Sequence, residues 1–442
     1  MTQTAPTWVS RVEARIDARL SASSRAPVAL ALSGGGDSVA LLDLAADWAR
    51  VRDRPLLALT VDHGLSPDSA RWTAFAAEAA RAAGAAWRGL DWSGAKPASG
   101  LPAAARLARH RLLADAARQA GAEVILFAHT ADDREEEAWM RRNGSTLGRL
   151  REWGPSPVWP EGRGLMLLRP LLDVHRSDLR DALRARGRTW IEDPANADPR
   201  YARSRARVAL AEGAASEPEP DVQPGQGGVV AACEGVILIR RDIGTRVLSA
   251  VLVCAGGGDR PPRGERLERL RARLAGGETF TAALSGARIE ARGDQVRVTR
   301  EAGEFLRRPP APLALPPGDE TIWDGRWALT ATEPGWFVLP AAGRMAALSP
   351  ADRARLAGEP AASRGGRPVL IRNELAATVL AGDGVRARSL VEDRLARALG
   401  GVTQEAETES RAHGATPRNH LFCDADITEV RGAPRPEGSR DA

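Results

Sequence analysis

The residues of this chain best suited to chemistry are Ser33-Gly34-Gly35-Gly36-Asp37-Ser38, set between a short apolar run and a helical pattern. Glycines let the backbone turn tightly and approach a ligand without Cβ clashes. A helix starting directly behind them offers unpaired N–H groups and a positive dipole end, both suited to phosphate oxygens. Asp37 and Ser38 can also cap that helix, but three consecutive glycines exceed what a merely structural turn requires. The loop lacks Gly-Lys-Ser/Thr, so it is not a Walker A sequence. An aspartate stands in place of the lysine, and Asp37 is well suited to help hold Mg²⁺ on a pyrophosphate.

Further along stand His129-Thr130-Ala131-Asp132-Asp133 and, three residues on, Glu136. Carboxylates at a strand end can hold or deprotonate an ammonium group, and helical spacing puts Asp132 and Glu136 on one face. Taken alone, Asp132 and Asp133 read equally well as first-turn acids complementing a helix dipole. Arg106 and Arg109 in "AARLARHRLL", together with Arg205, can stabilise developing negative charge. The run from Arg200 to Arg207, with Arg203 and Arg207, would by itself read as a solvated face. His63 and His129 at strand ends would singly read as turn or core histidines. Only their joint order gives these groups a shared meaning.

The elements that must position them alternate. Apolar runs at Pro27–Leu32, Leu56–Val61, Ala85–Leu90 and Glu123–Phe127 have strand character. Helical spacing covers Asp37–Arg50, Asp68–Ala83 and Ala103–Ala120 and resumes at Asp132. That alternation predicts a parallel sheet covered by helices on both faces, with ligands at the carboxyl ends of the strands. Residues 212–228, rich in Glu, Pro, Ser and Gly, read as a linker. Beyond it a helix is expected over Arg263–Leu274, with strands at Arg288–Glu290 and Gln295–Thr299, then a β-rich stretch over Pro309–Arg388. The expected organisation is a catalytic domain (1–211), the linker, a small α+β module (229–305), a β-rich module (306–400) and a partly disordered tail (401–442).

A chain of 442 residues is too long for one ordinary core. No apolar run approaches the roughly 20 residues of a membrane span, and Met1–Ser10 lacks the pattern of a signal peptide, so the expected location is cytoplasmic. Cys233, Cys254 and Cys423 form no CxxC pair, which argues against a disulfide framework, a structural zinc site or an iron–sulfur cluster. The net charge of +5 permits a polyanionic partner. Its basic residues are almost all arginine, with Lys96 the only lysine.

The SGGxDS pattern resembles the PP-loop of the N-type ATP pyrophosphatase superfamily, whose members cleave ATP between the α- and β-phosphates and transfer AMP. Val61-Asp62-His63-Gly64-Leu65, the arginine pair, the H-x-x-D-D-x-x-E spacing and "RPLLDVHRSDLRDALRARGRTWIEDPANADPRYARSRAR" then resemble the tRNA(Ile)-lysidine synthetase family, in the family's order. In the last segment Trp190, Asp193-Pro194, Asn196, Asp198, Tyr201, Arg203, Arg205 and Arg207 fall in register. The resemblance covers roughly residues 25 to 210 and implies an adenine nucleotide α-hydrolase-like α/β domain. It implies ATP and Mg²⁺ as cofactors, and ligation of free L-lysine to the wobble cytidine of a tRNA(Ile) with a CAU anticodon. Ser33 to Ser38 would then hold the nucleotide, and Asp37, Asp132, Asp133, Glu136, Arg106, Arg109 and Arg205 would serve catalysis. His63, His129, Arg203 and Arg207 would bind substrate. Trp139, Trp153 and Trp159 offer aromatic contacts to a single-stranded anticodon loop. The resemblance leaves a homodimer open.

Three departures stand out. Pro102 and Ala103 to Ala105 occupy a stretch where the family often has an acidic residue. Asn143 to Leu150 replaces a more glycine-rich loop, and Ser204 stands for an asparagine. Two other readings are a thiolase of the same superfamily, which would need cysteine pairs, and an inactive RNA-binding relative, which would have no reason to keep both SGGGDS and HTADD. Past the linker, "FTAALSGARIEARGDQVRVTRE" resembles the family's accessory domain less specifically.

Overall fold

A computed structural model of the chain describes residues 7–145, 148–193, 198, 200, 202–216, 225, 227–262, 264–372, 377–382 and 384–412. They fall into two compact units, one within Met1–Gln223 together with Val402–Ala415, the other within Pro224–Gly401.

The first unit opens with α1 (Thr7–Arg19), followed by β1 (Val28–Ala31), α2 (Gly36–Val51), β2 (Leu56–Asp62), α3 (Ser69–Ala82), β3 (Ala86–Asp91) and α4 (Leu101–Gln119). Then come β4 (Val124–Leu126), α5 (Ala131–Arg142), β5 (Trp153–Pro155), β6 (Met166–Leu168), α6 (Arg176–Ala185) and α7 (Ala202–Ala211). The strand order is β3-β2-β1-β4-β6-β5. All neighbours pair in parallel except β5, which runs antiparallel to β6 at the edge. The apolar runs behave as buried parallel strands do: Val28, Ala29 and Leu30 are wholly buried because helices cover both faces. On one face α1, α2 and α6 supply Val12, Ile16, Leu41, Leu42 and Leu179; on the other, α4 supplies Leu113 and Ala117. Truncating Leu41 to alanine would cost about 2–5 kcal/mol through lost contact and the cavity left behind.

The chain leaves β1 toward β2 on one side and pairs β4 on the other. The β1–β4 junction is therefore the switch point of the sheet, where a crevice forms beyond the carboxyl ends of the strands. The glycine loop follows β1 and the His129–Asp133 segment follows β4, so both predicted groups meet at that crevice.

The first unit is completed from far along the chain. A helix over Glu405–Ala412, in a segment expected to be part of a tail, belongs to it. Glu405 is fully buried and paired with the guanidinium of Arg54, and it accepts a hydrogen bond from Ser21 N at 2.9 Å. Trp153 donates from Nε1 to the Val402 carbonyl at 2.8 Å. Breaking such a buried pair from one side costs about 3–5 kcal/mol.

The second unit holds a five-stranded antiparallel sheet, built from Val229–Cys233, Val236–Ile239, Gln295–Arg300, Ala287–Arg292 and Phe280–Leu284 in spatial order. It also holds two three-stranded sheets from residues 313–389. Helices Thr245–Gly256 and Glu265–Ala275 pack on the larger sheet, joined by Val391, Leu395 and Leu399 from the helix Val391–Ala398. Arg300, nearly buried, donates to Asp324, and Asp324 also pairs with Arg326, tying the larger sheet to the following β-rich stretch. The fold is thus a parallel α/β PP-loop domain with antiparallel sheets in the C-terminal region. Among the described residues no helix is long and apolar enough to cross a membrane.

Candidate active site

The glycine loop is shaped by what lies behind it. Gly34 has φ +83°, a left-handed conformation that disfavours a side chain. A Cβ there would also come within 2.6 Å of Ile191 Cδ1. Ile191 N donates to the Gly34 carbonyl at 2.9 Å, and the Trp190 ring lies against Gly36. The distant Trp190-Ile191 pair is therefore the backing plate of the loop. Inside it, Ser38 Oγ donates to the Gly35 carbonyl at 2.9 Å and lies 3.1 Å from Ser33 Oγ. Gly35 is the N-cap of α2 and makes no side-chain cap bond. The first amides of α2 thus face the crevice with their positive dipole end, as an anion site requires.

Beside the loop lies a group of acids. Thr130 caps α5 in a reciprocal box with Asp133: Asp133 Oδ2 accepts from Thr130 N at 2.9 Å, and Asp133 N donates to Thr130 Oγ1. The helix-capping reading of Asp133 is thus true of one oxygen, while the other, Oδ1, accepts from Arg176 Nη2 and Arg203 Nη1. The pair that converges is Asp133 with Glu136, not Asp132 with Glu136. Asp132 Oδ2 instead accepts from the Arg176 backbone N–H at 2.9 Å, serving the start of α6.

The residue that gathers the acids is Arg176, the first residue of α6. Its Nε donates to Asp37 Oδ2 at 3.2 Å, Nη2 to Asp133 Oδ1 at 2.8 Å and Nη1 to Glu136 Oε1 at 2.6 Å. Burial works against its charge, but Asp133, Glu136 and Asp37 outweigh burial and hold the guanidinium above its ordinary value. Burial pushes the Asp37 carboxyl up, opposed by Arg176 and reinforced by Asp133. Arg207 Nε adds a second bond to Glu136 Oε1 at 2.7 Å, while Glu136 Oε2 is buried with no hydrogen-bond partner.

On the α4 side the charges are of the other sign. Arg109 is half-buried, its buried Nε has no partner, and desolvation followed by repulsion from Arg106 and Arg203 lowers it to about 10. Burial and then Arg203 also lower Arg106. His63 is pushed down by burial and then by Arg109. Its Nδ1 is buried without a partner. His110, Phe127 and His129 form a stack with ring centroids 5.4 and 5.9 Å apart. Arg169 Nε donates to His129 Nδ1 at 3.1 Å, so neutral His129 carries its proton on Nε2. Burial, then Arg169 and Arg109, keep His129 well below its usual range. Arg106 and Arg109 crowd together, with Arg203 bridging from them to Asp133, and beside histidines held neutral this excess of positive charge suits a polyanion.

Of the predicted residues, the loop, Asp37, Asp133, Glu136, Arg106, Arg109, Arg203, His63 and His129 border this crevice. Arg205 does not join the α4 arginines; it is exposed and donates to the Arg200 carbonyl at 3.0 Å, while Arg203 takes the place beside them. Trp153 is fully buried in the core, so it is no RNA contact. Pro194, Asn196 and Tyr201, with Thr146 and Leu147 of the variant loop, lie outside the described residues. Sequence reasoning missed Arg176 and Arg169, both inside the quoted C-terminal segment. Neither had a spacing signal, because Glu136 and His129, the site residues they bond, each lie 40 positions away.

Residues 9–213 match the family model described as a PP-loop domain. A tRNA(Ile)-lysidine synthase of Caulobacter vibrioides is 49% identical over 410 residues, spanning 90% of this chain and 100% of that protein. One of Mesorhizobium japonicum is 37% identical over 75% of this chain and 80% of its own length. For one of Hyphomonas neptunium the figures are 36%, 68% and 87%. Likeness of this order over most of its length, together with the PP-loop domain match, shows that the chain belongs to the tRNA(Ile)-lysidine synthase family.

Proposed function

We propose that this protein ligates free L-lysine to C2 of the wobble cytidine in the CAU anticodon of tRNA(Ile). The cytosine O2 attacks the α-phosphorus of ATP and pyrophosphate leaves. The ε-amine of lysine then adds to C2, loses a proton, and AMP departs with the O2 oxygen. The product pairs with A in place of G, which moves decoding from AUG to AUA.

The observation that carries this reading is the meeting of an anion-binding half and a cation-binding half at one crevice. The α2 N-terminus with Arg106, Arg109 and Arg203 suits the triphosphate and the charge of the leaving pyrophosphate. Asp133 and Glu136 suit the lysine ammonium, and the free Glu136 Oε2 is a ready acceptor. Among the described residues no cluster of three His, Cys, Asp or Glu side chains could hold a metal by itself. That fits Mg²⁺, which typically uses one or two carboxylates plus substrate phosphates. Asp37 is the carboxylate that would hold it, and the ion would neutralise phosphate charge. The reaction is placed in the cytoplasm, where the tRNA resides.

The thiolase alternative is disfavoured by the cysteines. Burial pushes the Cys254 thiol up to about 11, unfit for a reactive thiolate. Cys233 lies in the second unit as well, and Cys423 is outside the described residues. The test is incubation with ATP-Mg²⁺, radiolabelled lysine and a CAU isoleucine tRNA, with an elongator methionine tRNA as control. Label entering only the isoleucine tRNA establishes the ligase. AMP release without label demands another nucleophile. No turnover of ATP leaves an RNA-binding relative.

A further inference from the structure

We propose that Arg176 is a positioning residue that couples the nucleotide half of the site to the amine half. Among the described residues its guanidinium is the one group paired with Asp37, at the start of α2, and with both Asp133 and Glu136 on α5. Those contacts use Nε, Nη2 and Nη1 separately, so the planar fork fixes three carboxylates around one point. The Arg176 side chain is 16% exposed and that of Glu136 only 1%, so the contacts are little screened by water. The backbone anchors the hub as well, since Arg176 N donates to Asp132 Oδ2 at 2.9 Å. No ion pair or hydrogen bond links Asp37 to Glu136 among the described residues; what they share is Arg176.

The consequence is directional. With Arg176 present, Asp37 is held toward α5 and its charge is offset where a triphosphate must approach. Without it, Asp37 loses its guanidinium partner, Asp133 and Glu136 keep only Arg203 and Arg207, and the three carboxylates lose their common orientation. Glu136, on the amine side, then influences nucleotide binding only through the hub. The inference rests on the proposed function for the identity of the amine, but its coupling is readable from ATP alone.

The experiment compares four full-length proteins, wild type, Arg176→Met, Glu136→Gln and the double variant, by calorimetric titration with ATP in excess Mg²⁺. Arg176→Met is expected to weaken ATP binding about tenfold, in line with a charged hydrogen bond worth about a factor of ten. Glu136→Gln is expected to weaken it about threefold, and the double variant to match Arg176→Met with no further loss. Arg176→Lys, which keeps the charge but loses the fork, is expected to recover part of the affinity. It also serves if the methionine variant fails to fold. Wild-type affinity in Arg176→Met, or effects of Arg176→Met and Glu136→Gln that simply add, overturns the proposal. Lysine incorporation by the wild type in parallel separates the two ideas: absent label with intact coupling refutes the amine assignment, and label without coupling refutes the hub.

Discussion

Around Asp37, Asp133 and Glu136 each carboxylate meets a guanidinium, whereas around Arg106 and Arg109 the guanidiniums meet one another. The acidic half is balanced from within by Arg176, Arg203 and Arg207. The basic half is left in deficit, with Arg109 Nε and His63 Nδ1 buried and unpartnered. Folding pays for that deficit, since an uncompensated buried charge is costly. The difference teaches how the site divides its labour. Under the proposed function, the half that would take the polyanion is unsatisfied and preorganised, and the half that would take the ammonium is satisfied until that cation exchanges in.

The largest expected effect falls on the loop. Asp37→Ala should lower lysidine formation about a thousandfold in the labelled-lysine assay, on the scale of losing a preorganised charge-stabilising group. Retained activity would remove the acidic half from the chemistry.

The two halves should next differ in the sign of their stability effects. Glu136→Gln weakens two ion pairs of a buried carboxylate with partly exposed arginines and should lower the unfolding free energy by about 2 kcal/mol. Arg109→Met removes a half-buried charge lacking a carboxylate partner, so it should raise stability by about 1 kcal/mol while cutting kcat/KM about a hundredfold. Urea midpoints for the pair settle this. Destabilisation by both would mean the basic half is not in deficit.

Acid lability should belong to the basic half. Burial, then the charges of Arg109 and Arg106, push His110 down to about 3 from an ordinary 6.5. Below 6.5 the unfolded chain binds a proton that the folded chain refuses. Stability is therefore complete above that pH and is lost as pH falls toward 3, by up to about 1.4 kcal/mol per unit for this group. His110→Leu should flatten the slope of unfolding free energy between pH 6.5 and 5. An unchanged slope would assign the lability elsewhere.

The smallest effect is expected at Arg205. It is exposed and bonded to a neighbouring carbonyl, so Arg205→Ala should change ATP affinity less than about threefold, against a large loss for Arg203→Ala. Equal losses at the two positions would erase the distinction between them.

The sequence by itself determined the local parts. The SGGGDS loop, the strands at β1, β2 and β4, and helices α2, α4 and α5 were legible because turn chemistry and hydrophobic period are written in neighbouring residues. The reaction class followed from the loop, and the family from the order of its motifs. Tertiary structure alone decided which charges meet. Asp133, not Asp132, shares a guanidinium with Glu136, because Asp132 is taken up by the start of α6. Arg203 displaced Arg205 because α7 turns the one toward α4 and the other to solvent. Arg176 became the hub across 139 positions from Asp37. Glu405 closed the first unit across 351 from Arg54. Periodicity reports the face of an element, but a pairing depends on where that face is carried, and only the packed sheet fixes that.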